Sequence, residues 1–334
     1  KVTVFAEGTR GHLTRQLIQK KELQKSKNPM CYSLGVKEVW EIPDGRFPAG
    51  KVVHTFGWPL KSNQFGGSFL YALSNNRLAL GTVVGLDYKN PFTDVHSLFQ
   101  KFKTHPYVNS LLQGGKLERT GAKTLPEGGY FSIPKVYGDG FLIIGDSASF
   151  VNVMRLKGLH LAIKSGMLAS EAILQALIKD DSSESIMSEY WKKVENSWMK
   201  KELWRVRNFR QGFHKSLLRG LFHTGLQEVT LGRGLYSKYK SHEDHKTLEK
   251  CDKYLRNSEK PPISYKGDKK ITFDKLTSVF HSGTEHEENQ PCHLQLKDPQ
   301  LCLTKCAKEY ANPCQYFCPA NVYEIIEDEA TKEK

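Results

Sequence analysis

The stretch that indicates the fold most directly is residues 140–149, which read GFLIIGDSAS. Its apolar run predicts a buried strand, which ends in a turn at Gly145 and Asp146. A long helix is predicted next, over residues 158–177, because apolar residues recur there at helical spacing. Small residues on that helix would let it pack closely on a sheet; they are Ser165, Gly166, Ala169 and Ala172. A strand, a tight turn and a helix in this order indicate a fold that mixes helices and sheet.

The same unit suggests a place for a ligand. A strand that ends in Gly-Asp puts the Asp146 carboxylate at the carboxyl edge of a sheet, where it can accept hydrogen bonds from sugar or ribityl hydroxyls. Gly145 lets a phosphate approach the backbone, and a helix that begins near Gly158 offers amide groups and partial positive charge. Two interpretations stay open on these residues alone: a ligand-binding edge, and an ordinary turn followed by a core helix.

Further strands and helices are predicted on the N-terminal side. Residues 2–6 predict a buried strand and residues 12–18 a helix. Residues 31–86 contain short β-type runs broken by Gly and Pro, which predict an antiparallel sheet. Asp94 is a start signal for a helix over residues 95–103, with Pro106 just beyond it.

The C-terminal side is more polar. Residues 189–209 predict an aromatic and basic helix, and residues 238–269 predict a linker. Beyond them lies a small cysteine-bearing module with a strand-like run at residues 322–326. Residues 213–239 combine an apolar residue roughly every fourth position with cations, which suits a helix lying in a membrane interface. A core-facing helix is the alternative, and Gly212, Gly220 and Gly225 count against one regular helix.

Composition restricts the class of protein. The 334 residues include 49 Lys and Arg against 36 Asp and Glu, a net charge of +13, and 39% are hydrophobic. An aromatic content of 11% excludes an intrinsically disordered chain, and no run approaches the ~18 consecutive apolar residues of a membrane-spanning helix. The cations are spread along the chain without a nucleic-acid motif, so no nucleic-acid partner is expected.

The seven cysteines are unevenly placed. Cys31 and Cys251 are scattered, whereas Cys292, Cys302, Cys306, Cys314 and Cys318 are close in sequence. An odd count without a secretory signal favours a metal or cluster site over a disulfide framework. The last four form C-x3-C-x7-C-x3-C, which is neither ferredoxin nor zinc-ribbon spacing, so a separate metal site and free thiols both stay open. Cys292 is interpreted as a small apolar filler.

Eight blocks, in order along the chain, are similar to one family. They are FAEGTRGHL (5–13), GWPL (57–60), FGGSFLY (65–71), VVGLDY (83–88), GGYFSIPK (128–135), FVNV (150–153), KGLHLAIKSG (157–166) and FCPANVYE (317–324). Together they resemble the electron-transfer flavoprotein:ubiquinone oxidoreductases. Residue 159 departs from the family, where Thr is common, because it is Leu here.

The resemblance implies an α+β or α/β fold: a partial Rossmann-like FAD domain, an inserted antiparallel-sheet quinone domain and a truncated ferredoxin-like module. The implied FAD-binding domain covers residues 1–25 and 130–200. The ubiquinone-binding, membrane-associating domain covers 26–129 and 201–260, and the iron–sulfur domain covers 270–334. It also implies a fragment that lacks the family's G-x-G-x-x-G and C-x-x-C-x-x-C motifs, so the chain alone is expected to be inactive.

Site residues follow from the same resemblance. FAD would contact Gly8, Gly145, Asp146, Asn152, Lys157 and Gly158, and ubiquinone would contact Gly66 and Gly67. Cys318 would be the first ligand of a [4Fe-4S] cluster, which needs four. No catalytic side chain is expected, because the cofactors carry the electron chemistry and the protein sets their positions and potentials.

The implied function is an electron relay. Reduced electron-transfer flavoprotein would be the donor and membrane ubiquinone the acceptor, at the surface of a bacterial or mitochondrial inner membrane. Two alternatives stay open: an FAD-dependent reductase of polyprenyl lipids, and a non-enzymatic, metal-stapled interaction module.

Overall fold

The computed structural model describes residues 1–260, 265–291 and 294–326. The prediction for Cys292 therefore lies outside the described residues. The strands, in chain order, are β1 (Thr3–Phe5), β2 (Tyr32–Glu41), β3 (Val52–Thr55), β4 (Gly66–Ala72), β5 (Arg77–Gly85), β6 (Lys116–Pro126), β7 (Tyr137–Gly138) and β8 (Phe141–Ile143). The α-helices are α1 (His12–Lys20), α2 (Val95–Lys103), α3 (Pro106–Leu112), α4 (Leu159–Lys179), α5 (Glu184–Asn196), α6 (Trp198–Arg205), α7 (Phe209–Gly212), α8 (Leu217–Val229), α9 (Asp252–Leu255), α10 (Lys275–Ser282), α11 (Pro299–Leu301) and α12 (Cys314–Phe317). A 3-10 turn covers Gly145–Ala148 and a π-helix covers Cys302–Tyr310.

The chain divides into two compact units. Unit 1 consists of Lys1–Ser33 and Thr124–Lys246, and unit 2 of Leu34–Lys123 and Thr247–Lys334. The family-based boundaries, with separate FAD, quinone and iron–sulfur domains, remain a prediction. Each unit has its own hydrophobic core.

Unit 1 is built on a three-stranded sheet in the order β1-β8-β7. β1 runs parallel to β8, with Val4 opposite Leu142, and β7 pairs antiparallel with β8. The predicted strand near the N-terminus is confirmed, but the prediction that it is buried is wrong. β1 forms an edge of the sheet, and Val4 is 39% exposed whereas Leu142 in the central strand is fully buried.

Helix α4 packs on unit 1 through its small residues. Ser165, Ala169 and Ala172 are buried, which confirms the predicted close packing of this helix. Leu161 and Leu168 are buried with them, whereas Met167 and Leu174 are more than half exposed. Among the described residues, α4 is the one helix long and apolar enough to cross a bilayer, but a helix that buries one face in a folded core passes the same test.

Unit 2 contains a five-stranded sheet in the order β3-β4-β5-β2-β6. β3, β4 and β5 pair antiparallel, as predicted. Helix α2 begins at Val95, where the Asp94 carboxylate accepts a hydrogen bond from the Ser97 amide at 3.1 Å, and it ends at Lys103. The predicted helix over 95–103 is therefore confirmed to the residue.

A charged pair lies inside the core of unit 2. The Lys103 amine donates to both carboxylate oxygens of Glu38 at 2.8 Å, and both side chains are fully buried. Burial lowers the pKa of Lys103, and the Glu38 carboxylate acts in the opposite direction. The amine also lies 5.0 Å from the centre of the Phe273 ring. The pair joins α2 to β2, and no sequence pattern predicted it.

Three predictions for the C-terminal half are corrected by the structure. The helix predicted over 189–209 is interrupted at Ser197, whose hydroxyl accepts a hydrogen bond from the Met199 amide and starts α6. Residues 238–269 are not a free linker, because Cys251 and Tyr254 are buried against Phe92 and Tyr316 within unit 2. Residues 322–326 form no strand.

Candidate functional site

Two glycine loops meet at one edge of the sheet in unit 1. Gly8 follows β1 and Gly145 follows β8, and these strands are parallel, so both loops leave the same edge. The Ser147 hydroxyl donates to the Gly8 carbonyl at 3.0 Å and joins the two loops. The structure therefore brings two of the predicted FAD contacts together.

Asp146 and the start of α4 meet at the same edge. Gly158 is the N-cap of α4, and a Cβ added there would lie 3.3 Å from a carboxylate oxygen of Asp146. Gly158 has no side chain to cap this 21-residue helix, and among the described residues no other side chain accepts from its first amides. A half-buried carboxylate and the positive end of a helix are thus adjacent.

The two glycines differ in the space around them. Gly8 has φ +76°, and a Cβ added there would have nothing within 4 Å. Gly145 has φ +58°, its amide donates to the Ser165 hydroxyl at 3.0 Å, and an added Cβ would contact Ala162 at 3.4 Å. The backbone at Gly8 is accessible to a ligand, whereas Gly145 is packed against α4.

Glu7 has a structural role that sequence reasoning missed. Its carboxylate accepts hydrogen bonds from the Leu13 amide at 3.2 Å and from the Thr14 amide at 2.6 Å. The Thr14 hydroxyl bonds the same group, and these bonds lower the pKa of Glu7. Gly11 allows this approach, since a Cβ there would lie 2.3 Å from the Glu7 Cβ. The N-terminus of α1 is therefore capped by Glu7, whereas no side chain in the described part of the chain caps that of α4.

Asn152 and Lys157 form a small loop before α4, with an antiparallel bridge between their backbones. The buried Asn152 amide donates to the Glu202 carboxylate at 2.7 Å, and its oxygen accepts from the Arg155 amide at 3.1 Å. Both polar groups of Asn152 are thus engaged within the protein. Its contact with a flavin stays a prediction, as does that of the exposed Lys157.

Glu202 and His160 were not predicted. His160 lies 2.9 Å from Glu202 and stacks on Trp198 at 5.7 Å between ring centres. Burial raises the pKa of Glu202, but hydrogen bonds from Asn152 and His160 outweigh it and lower the pKa overall. These residues are far apart in sequence, so no local motif points to the cluster.

Gly66 and Gly67 begin β4 in unit 2, where the neighbouring strands come very close. A Cβ on Gly66 would lie 2.1 Å from the Val83 carbonyl oxygen, and one on Gly67 would lie 2.2 Å from that of Thr55. The sheet alone therefore requires glycine at both positions. The predicted quinone contact at this pair remains a prediction.

Aromatic surface lies next to this glycine pair. Phe56 and Trp58 follow β3 directly and are 63% and 45% exposed. The Phe56 Cα is 3.7 Å from where a Cβ on Gly67 would lie. The edge of the sheet beside Gly67 thus presents an apolar surface, the kind of surface that a quinone or an acyl chain contacts.

Cys318 is the predicted cluster ligand. Its thiol is buried, and the sulfur accepts a hydrogen bond from the Val322 amide at 3.4 Å. An amide directed at the sulfur stabilises a thiolate and suits a cluster ligand. The segment is held by Lys275, whose amine donates to the Tyr316 carbonyl at 3.0 Å and pairs with Asp94 at 3.2 Å.

The other cysteines of the C-terminal module are partly exposed free thiols: Cys302, Cys306 and Cys314. Burial raises the pKa of Cys314, and backbone hydrogen bonds from the Gln315 and Cys314 amides only partly oppose this rise. Within residues 1–260, 265–291 and 294–326, no three His, Cys, Asp or Glu side chains are placed to hold a metal ion. The C-x3-C-x7-C-x3-C spacing therefore gains no support as a separate metal site.

Two family models match the chain in order. A model described as "ETF-QO, ubiquinone-binding" matches residues 32–125, which include Gly66 and Gly67. A model described as "Electron transfer flavoprotein-ubiquinone oxidoreductase, 4Fe-4S" matches residues 269–334, which include Cys318.

Curated relatives match the chain along its whole length. It is 43% identical to the mitochondrial electron transfer flavoprotein-ubiquinone oxidoreductase of Arabidopsis thaliana, over 100% of this chain and 52% of that protein. It is 40% identical to the enzyme of that name from Pseudomonas aeruginosa, over 98% of this chain and 59% of that protein. The chain thus spans between half and three-fifths of the length of these relatives.

A solved structure resembles the fold. It is a geranylgeranyl bacteriochlorophyll reductase-like protein from Thermoplasma acidophilum, with a TM-score of 0.54 and 13% identity over 74% of this chain and 58% of that one. At this identity the likeness concerns the fold alone. It agrees with the predicted mixture of helices and sheet.

Proposed function

Because the chain belongs to the electron transfer flavoprotein-ubiquinone oxidoreductase family, we propose that it is part of an enzyme that passes electrons from reduced electron-transfer flavoprotein to ubiquinone. The observation that carries the proposal is the meeting of Gly8, Asp146 and the uncapped start of α4 at one sheet edge. FAD and a [4Fe-4S] cluster would supply the electron chemistry, which amino-acid side chains do not provide.

The sheet edge in unit 1 suits FAD. Gly8 leaves backbone accessible, and Asp146 offers a carboxylate to hydroxyl groups. The first amides of α4 favour negative charge on a ligand, because they carry the positive end of the helix dipole. Gly145, packed by Ser165 and Ala162, holds the turn against α4.

The predicted quinone and cluster positions both fall in unit 2. Gly66 and Gly67 lie within the region matched as ubiquinone-binding, next to the exposed Phe56 and Trp58. Cys318 lies within the region matched as 4Fe-4S, with its sulfur already facing the Val322 amide. A truncated ferredoxin-like fold for that module is part of the proposal.

Association with one face of a membrane is supported by α8. Leu218, Phe222 and Val229 are 79%, 72% and 84% exposed, and Arg219 lies among them. An apolar face flanked by cations is typical of helices that lie in the headgroup region. We therefore place the enzyme at the surface of an inner membrane, bacterial or mitochondrial.

The reductase alternative shares the fold but not the sequence. The polyprenyl-type reductase-like structure is 13% identical, whereas the oxidoreductases are 40–43% identical. The interaction-module alternative gains no support, because among residues 1–260, 265–291 and 294–326 no three His, Cys, Asp or Glu side chains are placed to hold a metal ion. The quinone oxidoreductase is therefore the stronger proposal.

The test uses the full protein loaded with FAD. Asp146→Asn is expected to lower the flavin bound per protein about tenfold, because a charge-assisted hydrogen bond contributes roughly 1.5–3 kcal/mol. Asp180→Asn, at the far end of α4, is the matched control and should leave the flavin content unchanged. Flavin absorbance gives the content, and reduction of a quinone analogue by reduced electron-transfer flavoprotein gives the activity. Unchanged flavin content in Asp146→Asn, or no quinone reduction by the loaded wild type, would contradict the proposal.

A further inference from the structure

A groove of about 480 Å³ lies in unit 1 between the Asn152–Lys157 loop, α6 and α8. It is lined by an indole and by charged groups of both signs: Trp198, Arg155, Lys201, Arg205, Glu202 and Glu228. Of the residues assigned to FAD only Asn152 lines it, and its polar groups already bond Glu202 and Arg155. The groove is therefore distinct from the sheet edge at Gly8 and Asp146.

The carboxylates in the groove are already paired. Glu202 accepts from Asn152 and His160, and Glu228 pairs with Arg205 at 2.7 Å. Neither Arg155 nor Lys201 takes part in an ion pair within the part of the chain that the structure describes. Two cations without an ion pair thus line a concave site, although the Arg155 charge also acts on the Glu202 carboxylate. This arrangement suits a ligand with a compact negative charge such as a phosphate.

The walls of the groove are held together. A Cβ on Gly232, just after α8, would lie 2.2 Å from the Arg205 carbonyl oxygen, so the backbone at that point rests directly on the end of α6. The Arg205–Glu228 pair joins the same two helices. Lys201 therefore extends from a helix that packing holds in place, and Arg155 from a loop that the Asn152–Glu202 hydrogen bond joins to α6.

The exposed apolar face of α8 begins beside this groove. Val229 follows Glu228 in sequence and is 84% exposed, and Phe222 is 72% exposed two turns earlier. Trp198, which lines the groove, is 44% exposed, and indoles next to cations are typical of the headgroup level of a bilayer. We infer that the groove binds the phosphate of an anionic phospholipid headgroup while the acyl chains lie along α8. This inference rests on the proposed membrane association.

The test measures partition of the full protein, loaded with its cofactors, onto vesicles by sedimentation. One set is pure phosphatidylcholine and the other contains one-fifth phosphatidylglycerol. Arg155→Gln/Lys201→Gln should bind the phosphatidylglycerol vesicles about thirtyfold more weakly than the wild type, since each of the two cations near such a surface contributes about 1 kcal/mol. Lys20→Gln/Lys179→Gln removes the same charge from exposed positions outside the groove and should change binding less than twofold.

The outcomes separate the groove from the membrane proposal. An equal loss in both double variants would overturn the groove and leave membrane association intact. Soluble glycerol phosphate is added as a competitor. If it abolishes the difference in vesicle binding between the wild type and Arg155→Gln/Lys201→Gln, the groove is a site for free phosphate and the inference is overturned. If the wild type binds neither vesicle, membrane association itself fails.

Discussion

The glycines of unit 1 and those of unit 2 have different reasons to be glycine. At Gly8 an added Cβ would meet open space, and only the positive φ of +76° requires glycine. At Gly66 and Gly67 an added Cβ would lie about 2 Å from the carbonyl oxygens of neighbouring strands. A motif glycine can thus leave room for a ligand or let two strands approach, and the sequence pattern is the same in both cases.

The comparison also concerns the surroundings. The unit 1 edge contains the start of α4, which no side chain in the described part of the chain caps, and the Asp146 carboxylate lies beside it. In the unit 2 sheet, carbonyl oxygens of the neighbouring strands leave no room for a side chain at Gly66 or Gly67, and the apolar surface at Phe56 and Trp58 lies beside them. If quinone binds there, we expect it to contact the aromatic side chains more than the glycine backbone.

The largest expected effect is at Gly67. Gly67→Ala should lower the free energy of unfolding by about 3 kcal/mol, because the Cβ would lie 2.2 Å from the Thr55 carbonyl oxygen. Gly121→Ala, a β6 position with nothing within 4 Å of an added Cβ, is the matched control and should change it by less than about 0.5 kcal/mol. Urea unfolding measures both. If the Gly67→Ala protein is as stable as the wild type but does not reduce quinone, Gly67 is glycine because it contacts the ligand and not because the strands require it.

Acid should weaken unit 2 more than unit 1, where burial also lowers the pKa of His223 but a hydrogen bond to the Asn208 carbonyl opposes that shift. Burial, and then the nearby Lys275 and Lys103, lower the pKa of His96 from 6.5 to about 3. Between these two values the unfolded chain binds a proton at His96 that the folded state does not bind. The contribution of neutral His96 to the free energy of unfolding is therefore fully present above pH 6.5 and falls as the pH is lowered toward 3. At pH 5 the loss is about 2 kcal/mol. Glu7 in unit 1 has its pKa lowered below 4.5 and remains ionised there.

Hydrogen exchange within α2 and α4 at pH 7 and pH 5, corrected for the intrinsic exchange rates, measures this difference between the units. His96→Gln removes the titrating group and should flatten the pH dependence of α2. If α2 loses the same protection from exchange between pH 7 and pH 5 in the wild type and in His96→Gln, the titration of His96 is not the cause.

The smallest expected effect on stability is at Gly8. Gly8→Ala and Gly50→Ala should each lower the free energy of unfolding by about 1 kcal/mol, because both residues have φ +76° with no neighbour near an added Cβ. Gly50 lies in unit 2, away from the sheet edge, so only Gly8→Ala is expected to reduce the flavin content of the loaded full protein. Urea unfolding and flavin absorbance measure the two effects. Equal flavin content in both variants would show that the open space at Gly8 is not part of the FAD site.

Local signals were sufficient for several elements. Asp94 and Pro106 predicted both ends of α2, because capping and the missing proline amide act within a few residues. The β-type runs predicted the antiparallel sheet of unit 2, and the small residues of α4 predicted its packing face. The break at Ser197 and the burial of Cys251 were missed, because nearby residues alone do not reveal tertiary contacts.

The sequence by itself determined the family, the order of the strand, turn and helix around Asp146, and the identity of Cys318 as the predicted cluster ligand. Only the tertiary structure decided that Asn152 bonds Glu202, that Lys103 and Glu38 form a buried pair, and that strand carbonyls enclose Gly66 and Gly67. Helix caps and periodicity depend on residues a few positions apart, so they can be read along the chain. The other contacts join residues that are distant in sequence, and their energies depend on a proximity that only folding creates.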